Sequence, residues 1–284
     1  MKKKHLIKNP VARRFFRRPT SVIGCLILLA FLLIALLGPF IIDSDPNAND
    51  LNNTWALPGA GHVLGTDNLG RDTLTRMIYG ARTTLLVSFA AVAIGSFVGI
   101  LLGVIAGYFG GKVDAILARF IDILQAFPGL LLAILIIAVL GTSLVNTIIA
   151  ISIYSIPSMA RRTRSMVISI KSREYVQACR IFGASDLRVI LTHVIPNCVS
   201  QIIVDITLSL GTAILTSSAL SFLGLGVQPP NAEWGAMMNN ARIVVRKAPI
   251  HAIIPGIAIC IVVLSFSLVG DGLRDALDPK LKNN

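Results

Sequence analysis

Apolar residues in this chain fall in long runs broken by short polar intervals, not in the alternation of half-buried strands or the narrow stripes of soluble helices. The runs lie near 22–42, 84–107, 119–140, 144–160, 200–226 and 251–270. Each approaches the roughly 20 apolar residues that a helix needs to cross a bilayer. The pattern predicts an all-α membrane protein with six transmembrane helices. The fourth run is short and the weakest of the set. The first, "VIGCLILLAFLLIALLGPFII", follows basic residues as a signal peptide would. It exceeds an h-region of roughly 7–15 residues and no small-x-small cleavage site follows, so it reads as a retained span.

Patterns inside the spans add detail. In the second, Gly95, Gly99, Gly103 and Gly107 recur every fourth residue, giving one helical face without side chains. Such a face lets another helix approach closely, which is how spans pack where lipid offers no hydrophobic drive; a surface for sliding is the functional alternative. In the third, "FIDILQAFPG" carries Pro128, which removes a helical hydrogen bond and predicts a kink. Asp122 and Gln125 lie near its cytoplasmic end and read as interfacial anchors in preference to a proton relay. In the fifth, Gln201, Asp205, Ser209, Thr212 and Thr216 form a polar stripe at helical spacing. A stripe at lipid depth faces the bundle interior or a watery cavity, so it serves interhelical hydrogen bonding or a solute path.

Between the fourth and fifth runs stands "EYVQACRIFGASDLRVILTHVIPN", residues 174 to 197. Tyr175, Ala178, Cys179 and Phe182 repeat with helical period, and Leu187, Ile190, Leu191 and Val194 do so again. Two amphipathic helices are predicted, with Gly183 ending the first, Ser185 capping the second and Pro196 marking a turn into span five. Such a unit can lie on lipid, pack beneath its own bundle, or enter a partner's groove.

Charge sets the orientation. Lys2, Lys3, Lys4, Lys8, Arg13, Arg14, Arg17 and Arg18 precede the first span without an acid. Arg161, Arg162, Arg164, Lys171, Arg173, Arg180 and Arg188 follow the fourth with only Glu174 and Asp186 against them. With six spans these segments and the C-terminus share one side, the cytoplasm. The basic tail is thereby explained by topology and contact with anionic lipid, and nucleic-acid binding is not expected. The composition, 54% hydrophobic and 14% charged, agrees with an integral membrane protein. Cys25, Cys179, Cys198 and Cys260 have no metal-ligand spacing and are expected to be free thiols.

Outside the membrane, "DSDPNANDLNNTWALPGAGHVLGTDNLGRDTLTRMIYGAR" reads as a looped connection. Its "GTDNLGRD" has the glycine spacing of a phosphate loop, but Arg71 and Asp72 stand where Lys and Ser or Thr are required. No such motif occurs elsewhere, so the chain is not expected to bind ATP or to be an enzyme, and no catalytic, cofactor or metal residues are assigned. A second outer loop, "GLGVQPPNAEWGAMMNNARIVVRKAP", has an exposed tryptophan and a short helix suited to the membrane surface. Asp278-Pro279 is expected to halt the sixth span.

The loop between spans four and five resembles the coupling loop of permeases of binding-protein-dependent ABC importers. That pattern, Glu-Ala-Ala, three residues, Gly, nine residues, Ile-x-Leu-Pro, falls here on Gln177-Ala178-Cys179, Gly183 and His193-Val194-Ile195-Pro196. Ala178, Gly183 and Pro196 match; the leading glutamate, the second alanine and the isoleucine do not. "HVLGTDNLGRDTLTRMIYGAR", "GVIAGYFGGKVD", "ALSFLGLGVQPPNAEWGAMM" and "GDGLRDALDPKL" resemble the C-type permease subunit of the dipeptide, oligopeptide and nickel importers over nearly the whole chain.

This resemblance implies a permease in the bacterial inner membrane with both termini cytoplasmic. It would pair with a homologous B-type permease, sit on two cytoplasmic ATPases that use ATP, and receive solute from an extracytoplasmic binding protein. Residues 1–80 would form the tail, first span and outer loop; residues 81–284 would form a core of five spans with the coupling loop at about 161–199. Glu174, Ala178, Cys179, Gly183 and Ala184 would couple to the ATPase. Asp205, Ser209 and Thr212 are the candidate path residues. Peptides are the expected solute, with nickel chelates or glutathione as alternatives in the same complex type. A self-sufficient secondary carrier using Asp205 and Asp122 is a more distant alternative, and a structural or sensory membrane subunit is a third.

Overall fold

A computed structural model describes residues 10–59 and 61–277. The tail residues Lys2, Lys3, Lys4 and Lys8, and the Asp278-Pro279 stop, lie outside the described residues. A short helix α1 (Pro10–Phe16) leads into α2 (Pro19–Ile41), with Pro19 in the first turn, where its missing N–H costs nothing. Only small residues of α2, namely Ser21, Gly24, Ala35 and Gly38, are buried; its large aliphatic side chains face outward, as befits a helix on the lipid side of a bundle.

The outer loop then folds around one carboxylate. Asp67 accepts the backbone N–H groups of Leu69 (2.9 Å) and Arg71 (3.1 Å) and the Arg71 Nε (2.7 Å), with Arg76 Nε 3.3 Å away. A carboxylate thus occupies the N–H cradle that a phosphate would need. Asp72 caps α3 (Thr73–Phe109), accepting from the Thr75 N–H at 2.8 Å.

At 37 residues, α3 would be about 55 Å long, well beyond the hydrocarbon thickness. It is followed by α4 (Gly111–Gln125), α5 (Gly129–Leu140) and α6 (Leu144–Lys171). Helices α3 and α6 share the most extensive contact among the described elements, and the glycine stripe forms their seam. A Cβ at Gly99 would stand 2.8 Å from Met159 Cβ, one at Gly103 2.6 Å from the Ala160 carbonyl, and one at Gly107 2.8 Å from the Arg164 carbonyl. At the upper end Ser152 Oγ donates to the Ala91 carbonyl at 3.2 Å. Packing accounts for the stripe.

The third span is broken where a kink was expected. Helices α4 and α5 meet at 86°; counted as one broken span they bring to six the crossings that five longer apolar helices make alone among the described residues. Pro128 lacks an N–H and disfavours helical geometry at Phe127, and Gly129 follows at once, so nothing carries the helix through. Helix α4 is instead held against α6 by Arg164–Asp114 (2.6 Å) and Arg161–Asp122 (2.8 Å). The fourth span, weak in sequence, is a 28-residue helix that continues to Lys171, so the segment following it begins about ten residues later than expected.

After α6 come α7 (Glu174–Ile181), α8 (Asp186–Val189), a π-helical turn at Ile190–Val194 and α9 (Ile195–Phe222). The outer helix α10 (Trp234–Ala241) and the final span α11 (Ile250–Leu277) follow. Trp234, expected at the surface, is buried: its indole donates to the Met77 carbonyl at 3.0 Å and its ring lies on Gly80 of α3. Glu233 caps α10 by accepting the Ala236 N–H at 2.8 Å, and burial pushes its carboxyl up despite the groups bonded to it. Helix α10 is therefore docked against α3, α9 and α11 at one end of the bundle, not laid on lipid.

Gly103→Val would push a side chain into the α6 backbone and is expected to destabilise the protein by about 1–3 kcal/mol, measured as thermal unfolding in detergent. Gly61→Ala, where the surroundings are open, should change stability by less than about 0.5 kcal/mol. Equal effects would mean that the seam does not hold the two helices together.

Candidate coupling surface and translocation path

The segment after α6 is built from the end of α7 outward. Gly183 has φ +83°, with open space around it. Its N–H donates to the Arg180 carbonyl and the Ala184 N–H to the Cys179 carbonyl, both at 3.0 Å. This is a Schellman cap, and Cys179 and Ala184 make the accompanying apolar contact by packing on the same buried cluster. Any other residue at 183 would be strained by its backbone alone.

Two expectations change beyond that glycine. Ser185 occupies the cap position of the next helix but its side chain makes no capping bond. Pro196 makes no turn: residues 186–222 run as one helix into the fifth span, through the π turn. Pro196 cannot donate to the carbonyl four residues back, and the wide turn just before it accommodates the missing bond and the ring. The second half of the loop is therefore the stem of span five.

The buried face also differs from the one the periodicity suggested. Val176, Val189, Ile190, Val194 and Cys198 pack with Val104 and Tyr108 of α3 and Val167 and Ile170 of α6. Tyr175 and Phe182 turn outward. Ile181 is 83%, Phe182 89% and Leu187 67% exposed, forming an apolar crest around Gly183. Of the other predicted coupling residues, Glu174 is exposed in the first turn of α7, where a negative charge suits the helix dipole. Ala178 is half-buried, and Cys179 Sγ lies 3.4 Å from His193 Nε2.

Sequence reasoning passed over the group that staples this unit to the bundle. Tyr108, at the end of α3, is 1% exposed and donates its hydroxyl to Asp186 Oδ1 at 2.7 Å. Its carbonyl accepts from Lys171 Nζ, and both Lys171 and the Arg180 guanidinium stand 5.6 Å from its ring centre. Arg180 also pairs with Asp186 at 3.8 Å. Nothing near Tyr108 in the chain signals this role, since Asp186 stands 78 residues away.

Along span five, Asp205 is buried in the first half of α9 and faces Arg162 of α6 at 3.4 Å. The hydroxyls of Ser209, Thr212 and Thr216 donate to carbonyls one turn back in their own helix, at 2.7, 2.9 and 2.8 Å. The stripe therefore makes no interhelical bonds with these hydroxyls, and Thr212 stays exposed. Asp122, the other acid that a carrier would use, is exposed and paired with Arg161.

Residues 99–283 match the family described as binding-protein-dependent transport system inner membrane component, and residues 10–58 match the N-terminal transmembrane domain of oligopeptide transport permease C. The chain belongs to this permease family. The permease is 45% identical over 263 residues to the dipeptide transport system permease protein DppC of Alkalihalophilus pseudofirmus, covering 93% of this chain and 86% of that protein. It is 46% identical over 266 residues to the di/tripeptide transport system permease protein DppC of Pseudomonas aeruginosa, with 92% and 88% covered. It is 42% identical over 272 residues to the glutathione transport system permease protein GsiD of Pectobacterium atrosepticum, with 95% and 90% covered. The fold of the permease is that of the inward-facing MetNI methionine ABC transporter, with TM-score 0.61 at 17% identity, over 72% of this chain and 97% of that one.

Tyr108→Phe would keep the packed ring and remove its bond to Asp186. The loss of about 1.5–3 kcal/mol for a hydrogen bond to a charged group should appear as faster hydrogen exchange at 174–189. Exchange in the α3–α6 seam should not change. Unchanged exchange at 174–189 would show that the hydroxyl does not hold the loop.

Proposed function

We propose that this chain is the C-type permease half of an ATP-driven importer for dipeptides, oligopeptides or a similar small solute. It forms the path with a homologous B-type permease, receives solute from an extracytoplasmic binding protein and is driven by two cytoplasmic ATPases. Both termini lie in the cytoplasm. ATP is bound by the partner subunits and this chain carries out no chemistry of its own.

The carrying observation is the apolar crest at Ile181, Phe182 and Leu187. Exposed to water these side chains are unfavourable; fully buried in a partner's groove, each is worth about 1.5–3 kcal/mol, a helix-in-groove contact. Glu174, Ala178, Cys179, Gly183 and Ala184 shape the element that bears the crest. Because Leu187 of the crest lies on the single helix 186–222, a push on that residue moves span five and with it Asp205, Ser209 and Thr212, which line the path. The identity to dipeptide permeases favours peptides, and the near-equal identity to glutathione permeases makes glutathione, itself a small peptide, the second reading. A self-sufficient carrier is disfavoured, since Asp122 and Asp205 already face guanidinium groups.

The test is reconstitution with the sister permease, the ATPases and the binding protein, using labelled dialanine. Phe182→Glu should cut uptake at least about tenfold, because a charge forced into an apolar groove costs more than about 1.4 kcal/mol, and should release the ATPases in pull-down. ATP-independent uptake by the lone chain would overturn the reading.

A further inference from the structure

The break between α4 and α5 opens a cavity of about 350 Å³ against α6, lined by Gln125, Phe127, Pro128, Gly129, Tyr154 and Ser158 together with apolar neighbours. The volume falls in the range of about 300–1,000 Å³ typical of small-molecule sites. Ser158 lies about 21 Å down α6 from Leu144 by helical rise, so the cavity sits in the cytoplasmic half of a hydrocarbon layer about 30 Å thick. The Asp122–Arg161 pair, one turn further along α6, marks the boundary with the cytoplasm.

The last carbonyls of α4 and the first N–H groups of α5 have no partner within their helices. Irregular backbone at membrane depth is tolerated only when buried in protein or lining a wet cavity, and broken spans are where transporters build solute sites. The side chains agree. The half-buried Tyr154 and the exposed Gln125 both line the cavity with neutral polar side chains. Ser158 Oγ donates to the Ser155 carbonyl at 3.0 Å and keeps its lone pairs open. Gly129 seats the tyrosine ring, since a Cβ there would be 2.9 Å from Tyr154 Cζ. No charged side chain lines the cavity. The wall therefore offers neutral donors and acceptors side by side, the complement of an amide group and not of a carboxylate.

We propose that this pocket is a binding site for the peptide amide group on the translocation path, with Gln125 and Tyr154 as its main contacts. Recognition through the amide would serve peptides whatever their side chains. The proposal rests on the importer reading above.

The experiment uses the whole reconstituted complex, with labelled dialanine and alanyl-phenylalanine as probes, and reads peptide moved per ATP hydrolysed. Tyr154→Phe, which retains the ring on Gly129, and Gln125→Leu should each lower that ratio about fivefold for both probes, as expected for one lost neutral hydrogen bond. A ratio equal to that of the wild type, whether or not both rates fall, would make the pocket structural and overturn the proposal. If Gln125→Leu fails to assemble, Tyr154→Phe decides alone. If the wild-type complex moves neither probe, the dipeptide reading of its solute fails and the proposal falls with it.

Discussion

In hydrocarbon there is no water to drive helices together, so helix association in this protein depends on how closely backbones approach. The α3–α6 seam supplies that approach. With Gly95, Gly99, Gly103 and Gly107 against Ser155, Met159, Ala160, Thr163 and Val167, the two longest-contacting helices behave as one plank, which other elements use as a frame. The end at which both helices finish brings Tyr108 and Lys171 together, where the loop of α7 is fastened. The remaining faces of α6 receive α4 through Arg161 and Arg164 and α9 through Arg162. One close contact thus sets the positions of the loop that bears Gly183, the broken span and α9.

The polar groups follow a consistent division. Charged pairs between helices, Arg161–Asp122, Arg162–Asp205 and Arg164–Asp114, cluster in the second half of α6, toward one end of the bundle, where charge costs less than at mid-depth. Deeper in the bundle, hydroxyls bond to their own helix and leave little to attract a neighbour. At the opposite end, half-buried Asp67 with buried Arg71 and Arg76 knits the loop, and α10 docks by its buried Trp234. The bundle is tied at both ends and held by shape in between.

Much of this was legible in the chain. Span count follows from runs of apolar residues, and the seam follows from a four-residue glycine repeat whose only strong physical meaning at lipid depth is close approach. Gly183 announced its left-handed cap because the residues before it were helical and Ala184 could complete the motif. The misreadings share a cause, which is that local signals were given local meanings. Pro196 looked like a turn, but tertiary packing of Val189, Ile190 and Val194 carries the helix through with one wide turn. Pro128 looked like a kink, but its pairing with Gly129 and the ion pairs that hold α4 sideways make a break. Trp234 and Tyr108 were invisible as anchors because their partners, the Met77 carbonyl and Asp186, are 157 and 78 residues away. The cavity at the broken span could not be read from the third run alone, since Tyr154 and Ser158 come from the fourth.

The central claim is mechanical: Leu187 of the crest and the polar face of span five belong to one continuous helix. Paired spin labels at Leu187 and Thr216, in the assembled transporter with its native cysteines replaced, test it directly. The distance between them should stay within about 2 Å, the scale of a helix shift, when ATP is added, while the distance from Leu187 to a label on the sister permease changes. A change in the Leu187–Thr216 distance with no movement relative to the sister permease would contradict the account.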